Sequence, residues 1–348
     1  MLPEKNHRAL IASYYDRKVV GDQLKRLQSS AEIIDVNQGR NLTLDEMLQA
    51  IPGIHATIAA DEPYTREVFE RGSELLIVAR DGAGFDKIDL QAATDHGVVV
   101  TRAPVVLDAT ANLVVGLMIA MVRKIPFADQ AIRQNKWTDR FSFLCPDLTG
   151  MTLGIVGFGQ VGQKVAVRAR ALGMKLLAYD IVDVREAAHP TGTQIVSLDE
   201  LLAQSDVVSV HLRHTPETRN FFCADLFAKM KKGGYFVNTS RGRIVKEDDL
   251  TDALACGHLA GAALDVFEQE PVNVDNPLLA MPNVVLTPHV AGDTSTTMVT
   301  AIEMNVMQIL DLLAGKKPSN MLNPEVWNRA RIHQRLLGHT MKVKPKKE

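Results

Sequence analysis

Two series of short apolar runs, each run followed by a helix-patterned stretch, predict an α/β chain built from two doubly wound parallel-sheet domains. The first series covers residues 9–12, 33–36, 56–59, 75–79 and 98–100, and the second covers 153–156, 175–179, 207–211, 235–238, 260–264 and 284–286. At 348 residues and 46% apolar content the chain can fill two cores. A glycine-rich turn marks the second series, because its first run leads into Gly157-Phe158-Gly159-Gln160-Val161-Gly162 and Asp180 closes the run after it.

Element by element, the first series ends near Pro104. A long apolar helix is expected over 109–123, then a polar, aromatic-bearing arm or lid over 134–149. The glycine turn should open a helix over 163–172, and a last helix over 294–313 should be followed by a segment, 317–326, that returns to the first domain. This organisation assigns 1–104 plus 295–330 to one domain, 105–294 to an inserted second domain and 331–348 to a tail. A chain that crosses twice makes a hinge, so a ligand cleft is expected there.

Composition excludes several classes. A net charge of −2 leaves no basic footprint for nucleic acid, and the lysine-rich end, 342–347, reads as a solvated tail. Residues 1–8 are polar, and no run approaches the roughly 18 apolar residues of a membrane span, so a soluble, cytoplasmic protein without a membrane partner is expected. Cys145, Cys223 and Cys256 form no CxxC pair, which points to reduced thiols rather than disulfides or a zinc knuckle. His211 and His214 lack a third ligand nearby, so no metal is expected.

The glycine turn is a dinucleotide-binding fingerprint. Gly157 permits the tight turn, Gly159 lets backbone N–H groups approach a pyrophosphate, and Gly162 lets helix and strand pack closely. Asp180 selects NAD, since its carboxylate accepts hydrogen bonds from both adenine-ribose hydroxyls. A 2′-phosphate there would meet like charge at a cost of about 1 to 4 kcal/mol. Arg185, five positions on, could soften that preference by bending back. A second Gly-x-Gly, in Arg80-Asp81-Gly82-Ala83-Gly84-Phe85-Asp86-Lys87, lacks the third glycine and reads as an anion-holding nest of N–H groups, with a plain strand-to-helix turn as the alternative.

Three groups suited to proton and hydride chemistry follow later strands, where open α/β sheets place ligands. His289, in Thr287-Pro288-His289, can take a hydroxyl proton and return it, with an ordinary pKa near 6.5. Glu270, presented from a turn by the Pro271 after it, is the candidate partner that favours the imidazolium. Arg241, in Asn238-Thr239-Ser240-Arg241-Gly242-Arg243, offers a permanently charged fork for a carboxylate or carbonyl; Arg243 is its competitor.

These motifs, in this order, resemble the D-isomer-specific 2-hydroxyacid dehydrogenase family from about residue 75 to 326, including Asp265-Val266-Phe267-Glu268-Gln269-Glu270-Pro271. The resemblance implies a Rossmann NAD-binding domain inserted into a flavodoxin-like substrate domain. It implies Arg241, Glu270 and His289 as the catalytic set, with Ala83 and Gly84 amides and Arg241 holding the substrate carboxylate. Cofactor contacts carry over to Gln160, Val161, Leu212, Arg213, Thr218, Thr239, Ser240, Asp265 and Gly292, with Asp265 at the nicotinamide. Arg213 stands where the family often has proline, which leaves some NADP use open. A homodimer through 109–149 is also implied.

The expected reaction moves a hydride between NAD(H) and a small D-2-hydroxy or 2-oxo acid. Within the family, 60–68 resembles the phosphoglycerate dehydrogenase branch and 106–112 the glyoxylate and hydroxypyruvate reductases. The alternative is an NADH-responsive interaction protein similar to the family's corepressors. Glu270 argues against a formate dehydrogenase-like reading, which pairs histidine with glutamine.

Overall fold

The computed structural model describes residues 7–12, 17–36 and 40–328; residues 1–6 of the polar start, the 331–348 tail and its lysines lie outside the described residues. The chain divides into two compact units, Met1–Val106 with Asp293–Glu348, and Leu107–Gly292.

In the first unit, strands β1 (Arg8–Ile11), β2 (Glu32–Asp35), β3 (Ala56–Ala59), β4 (Ile77–Asp81) and β5 (Val99–Ala103) pair in parallel in the order β2-β1-β3-β4-β5. This is the flavodoxin-like order. The continuous apolar runs follow from covering both faces of the sheet. Ala9 and Ile11 pack with Val20, Leu24, Ile302 and Ile309 from helices Arg17–Gln28 and Ser295–Leu313. Leu10 and Val78 face the other way, onto Met47, Val68 and Ala92 from three short helices. Helix Ser295–Leu313 begins at a capping box of Thr294 and Thr297. The segment after it runs antiparallel to β5, with Leu322 N donating to Val100 O at 2.8 Å and Asn323 Oδ1 accepting from Val100 N at 2.9 Å.

The second unit holds seven parallel strands: β6 (Thr152–Val156), β7 (Lys175–Tyr179), β8 (Gln194–Ile195), β9 (Val207–Val210), β10 (Gly234–Asn238), β11 (Leu259–Leu264) and β12 (Val284–Leu286). Their order, β12-β11-β10-β9-β6-β7-β8, is the Rossmann order extended by one strand. Side chains again alternate between two cores. Leu153 and Ile155 pack with Val114, Met118 and Val165, whereas Val156, Val208 and Phe236 pack with Leu201, Phe227 and Leu250. Strand β8, only two residues long at the sheet edge, carries no period a sequence pattern can register.

Several boundaries move. The helix after the glycine turn is Gln160–Ala171, not 163–172, because Gly159 is already its N-cap and Gly162 lies in its first turn. The apolar helix is Leu107–Val122. Between 134 and 149 the regular structure is one 3-10 helix, Trp137–Phe143, with Trp137, Phe141 and Leu144 exposed. Among the described residues no single helix is long and apolar enough to cross a membrane.

One buried group in the first unit gives a stability prediction. Glu62, just past β3, is fully buried; its Oε2 accepts from Ala60 N at 2.7 Å and its Oε1 has no partner among the described residues. Burial pushes the carboxyl from 4.5 up to about 6, with Asp61 adding to the rise and Arg80 opposing it. Between pH 4.5 and 6 the folded chain therefore holds a proton that the unfolded chain releases, so stability falls as pH rises through that window. Above it the deficit is about 2 kcal/mol. Glu62→Gln should thus gain about 2 kcal/mol relative to the parent between pH 4 and pH 7.5, read by urea unfolding at both values. An identical difference at both pH values would contradict this account.

Candidate active site

The order of strands in the second unit reverses between β6 and β9, and the crevice at the carboxyl ends of such strands is where nucleotides sit. Gly157 leaves β6 with φ of +93°, and a Cβ there would lie 2.8 Å from His211 O. A Cβ on Gly162 would lie 2.4 Å from Gly157 O, so helix and turn touch backbone to backbone. A Cβ on Gly159 would instead meet nothing within 4 Å, which is the open approach that a pyrophosphate at a helix N-terminus needs. Gln160 and Val161 form the first turn of that helix. Leu212 Cδ2 borders the Gly157 turn, 3.2 Å from where a Cβ would stand.

Asp180 follows β7, with Oδ2 accepting from Phe158 N at 2.7 Å and Oδ1 from Val182 N at 3.2 Å. It thereby ties the glycine turn to the neighbouring strand end. Arg185 does not bend back toward it: Nε and Nη2 hold both oxygens of Asp183 at 2.9 and 2.6 Å. The bidentate pair two residues away outcompetes the reach back to Asp180. Arg213 is exposed, and Thr218 Oγ1 donates to its carbonyl at 2.6 Å, closing the loop after β9. His211 in that loop meets Ser209 Oγ at 3.0 Å, and burial of the ring pushes its pKa down to about 4.

Three adjacent strands, β10, β11 and β12, deliver the proposed chemistry from their carboxyl ends. At the end of β10, Asn238 makes an Asx turn, its Oδ1 accepting from Ser240 N at 3.0 Å and Ser240 Oγ at 2.7 Å while Nδ2 donates to Arg241 O at 3.0 Å. Arg241 is half-buried and its Nη1 donates to Ser240 O at 2.8 Å; its competitor Arg243 is exposed. The Thr239 hydroxyl is buried without a partner among the described residues, as a cofactor contact would be before its ligand is counted.

After β11, Asp265 is completely buried. Its Oδ1 accepts from Thr287 Oγ1 at 2.6 Å and Val290 N at 2.9 Å, and its Oδ2 from Ala291 N at 2.9 Å. Asp265 O accepts from His289 N at 2.7 Å, and Asp265 N donates to Asn238 O at 3.0 Å. This one residue therefore links all three strand ends and holds the segment 287–291. His289 sits at φ of +55°, a left-handed conformation that costs energy in a non-glycine residue and is fixed here by those bonds. Its Nδ1 meets Glu270 Oε2 at 2.7 Å, and Glu270 Oε1 accepts from Phe267 N at 2.9 Å.

Residues 115–291 match the family described as D-isomer specific 2-hydroxyacid dehydrogenase, NAD binding domain. The chain belongs to this family. It is 38% identical over 292 residues to a D-3-phosphoglycerate dehydrogenase from Archaeoglobus fulgidus, covering 83% of this chain and 55% of that protein. It is 40% identical over 269 residues to a glyoxylate reductase from Korarchaeum cryptofilum, covering 76% of this chain and 81% of that one. The solved structure of the TT0316 protein from Thermus thermophilus superposes with a TM-score of 0.84 at 35% identity, over 90% of this chain and 99% of that one. The chain thus spans about half the length of the phosphoglycerate dehydrogenase it matches.

As a 2-hydroxyacid dehydrogenase family member the chain carries its Arg, Glu and His on one sheet edge, in the unit that matches the NAD-binding domain. Ala83 and Gly84 lie half-buried in a turn of the other unit, after Gly82 at φ of +95°. The helix after that turn begins only at Leu90, capped by Asp89, so the second Gly-x-Gly does not open a helix as a nucleotide turn does. Sequence reasoning missed the supporting roles of Asn238 and Thr287. The Asn-x-Ser spacing at a strand end was the available signal for the first; for Thr287 there was none.

Proposed function

We propose that the chain is an NAD-dependent dehydrogenase interconverting a small D-2-hydroxy acid and its 2-oxo acid. The observation that carries this reading is the His289–Glu270 contact of 2.7 Å, held at the carboxyl edge of the sheet that also bears the glycine turn and Asp180. NAD, when bound, supplies the hydride acceptor, and NADH the donor. Gly157, Gly159, Gln160, Val161 and Gly162 would hold its pyrophosphate, Asp180 its ribose, and Leu212, Arg213, Thr218, Thr239, Ser240, Asp265 and Gly292 the remaining surface.

With the Nδ1 proton directed at the Glu270 carboxylate, Nε2 of His289 is the atom that exchanges a proton with the substrate oxygen. The negative charge of Glu270 stabilises the imidazolium before it gives that proton up. In the second unit Arg241 binds the substrate carboxylate and polarises the carbonyl; in the first, the Ala83 and Gly84 amides are the proposed carboxylate donors. The proposed cofactor contacts, Arg241 and the proton-transfer pair all belong to Leu107–Gly292, and Ala83 and Gly84 belong to the first unit.

The test follows NADH oxidation with glyoxylate, hydroxypyruvate, phosphohydroxypyruvate and branched 2-oxo acids, each with an Arg241→Ala control. Turnover of one acid that the substitution abolishes is expected. NADH binding without turnover of any acid would defeat the reading. The relatives described above carry the names of a dehydrogenase and a reductase, and no observation favours the corepressor-like alternative.

We further propose a cytoplasmic homodimer. Ile125, Ile132, Trp137, Phe141 and Leu144 expose large apolar surface within one short stretch, as a partner-covered face does. The three cysteines are free thiols. Light scattering should give twice the chain mass, and Phe141→Arg should shift the protein toward monomer; a parent protein that is already monomeric would contradict the proposal.

A further inference from the structure

Glu270 is useful only if its carboxylate stays on His289, and it lies on a largely exposed loop that packs on the core through Val272. Residues 268–271 and 273–275 are exposed, Val274 to 85%. Local bonds shape the loop: Phe267 N to Glu270 Oε1, Asp275 N to Asn273 Oδ1 at 3.2 Å, and Asn276 N to Asn273 O at 3.0 Å. None of these ties it to the body of the unit.

Glu247, the first residue of helix Glu247–Ala255, reaches across to both ends of this loop. Its Oε1 accepts from Glu268 N, and its Oε2 accepts from Asn276 Nδ2 at 2.8 Å. The Asn276 amide cannot turn over without loss, because its Oδ1 accepts from Leu278 N at 3.0 Å. Gly242, shortly before that helix, presses on the same loop: a Cβ there would fall 1.9 Å from Phe267 C and O.

We propose that Glu247 is a positioning residue for the proton-transfer pair, its carboxylate clamping both ends of the loop that presents Glu270 to His289. An acid in a first helical turn ordinarily serves the helix dipole. Here Asp248 and Asp249 also stand in that turn, and Asp249 Oδ2 accepts from Ala224 N at 2.7 Å, so the helix keeps negative charge at its start when Glu247 is replaced. Both Glu247 oxygens are committed to the loop instead. The clamp rests on the dehydrogenase reading for its role, although its geometry does not.

The polarity of the Asn276 contact supplies a test by exchange. Glu247→Gln sets an amide NH₂ against the Asn276 NH₂, and Asn276→Asp sets two carboxylates face to face. Combined, they restore one donor and one acceptor. Each single variant should lose kcat by about tenfold to a hundredfold, with KM for the 2-oxo acid and NADH affinity nearly unchanged, and the double variant should recover most of it. Single variants with parental kcat, or a double variant no better than the singles, would overturn the proposal. A readout independent of turnover separates this from failure of the functional reading: the NMR titration of the His289 imidazole in each variant. In the single variants it should move toward that of Glu270→Gln and return in the double. If no 2-oxo acid is turned over, an unmoved titration still overturns the clamp and a moved one upholds it.

Discussion

His289→Ala is expected to slow 2-oxo acid reduction by about 10² to 10⁴-fold while NADH binds as before, measured by stopped-flow turnover and fluorescence titration. The size follows from the role: a positioned acid–base group contributes that range, and alanine leaves no group at φ of +55° able to donate. Binding should survive because the nucleotide turn is built on β6 and β7, remote in the strand order from β12. Glu270→Gln should lie between the parent and the alanine variant. Its amide still accepts from Phe267 N but no longer brings the charge that stabilises an imidazolium. If His289→Ala retained turnover within threefold, the proton would have to come from elsewhere and the proposed mechanism would fail.

The largest effect on stability is expected from Asp265→Ala, at about 3 to 5 kcal/mol by urea unfolding. The substitution strands the Thr287 hydroxyl and the Val290 and Ala291 amides around a carboxylate that is itself fully buried. Each buried donor left without a partner costs about 1 to 3 kcal/mol. Asp265→Asn should cost less, since its carbonyl oxygen can still serve Thr287 and Val290 and only Ala291 N meets another donor. Turnover should fall in both variants, because the displaced segment carries His289. An Asp265→Ala protein as stable as the parent would show that these bonds form without net gain.

Much of this was legible in the sequence because parallel sheets buried on both faces need unbroken apolar runs, and the runs at 56–59, 175–179 and 284–286 coincide with strands. Helix starts were less legible. Gly159 caps its helix with backbone geometry alone, so a reader expecting a side-chain cap places the start three residues late. The candidate side chains for proton transfer could be named from their positions after strands, but the buried bonds that hold them could not. Asp265 bonds to residues more than twenty positions away, and no local spacing announces such a long-range tie. Arg185 shows the same limit, since nothing in its spacing announces that Asp183 holds it.

The tethers of Arg241, Glu270 and His289 all arise inside Leu107–Gly292. Descendants of such a chain can therefore vary residues of the first unit, 82–84 among them, while the bonds that hold these three side chains are inherited intact.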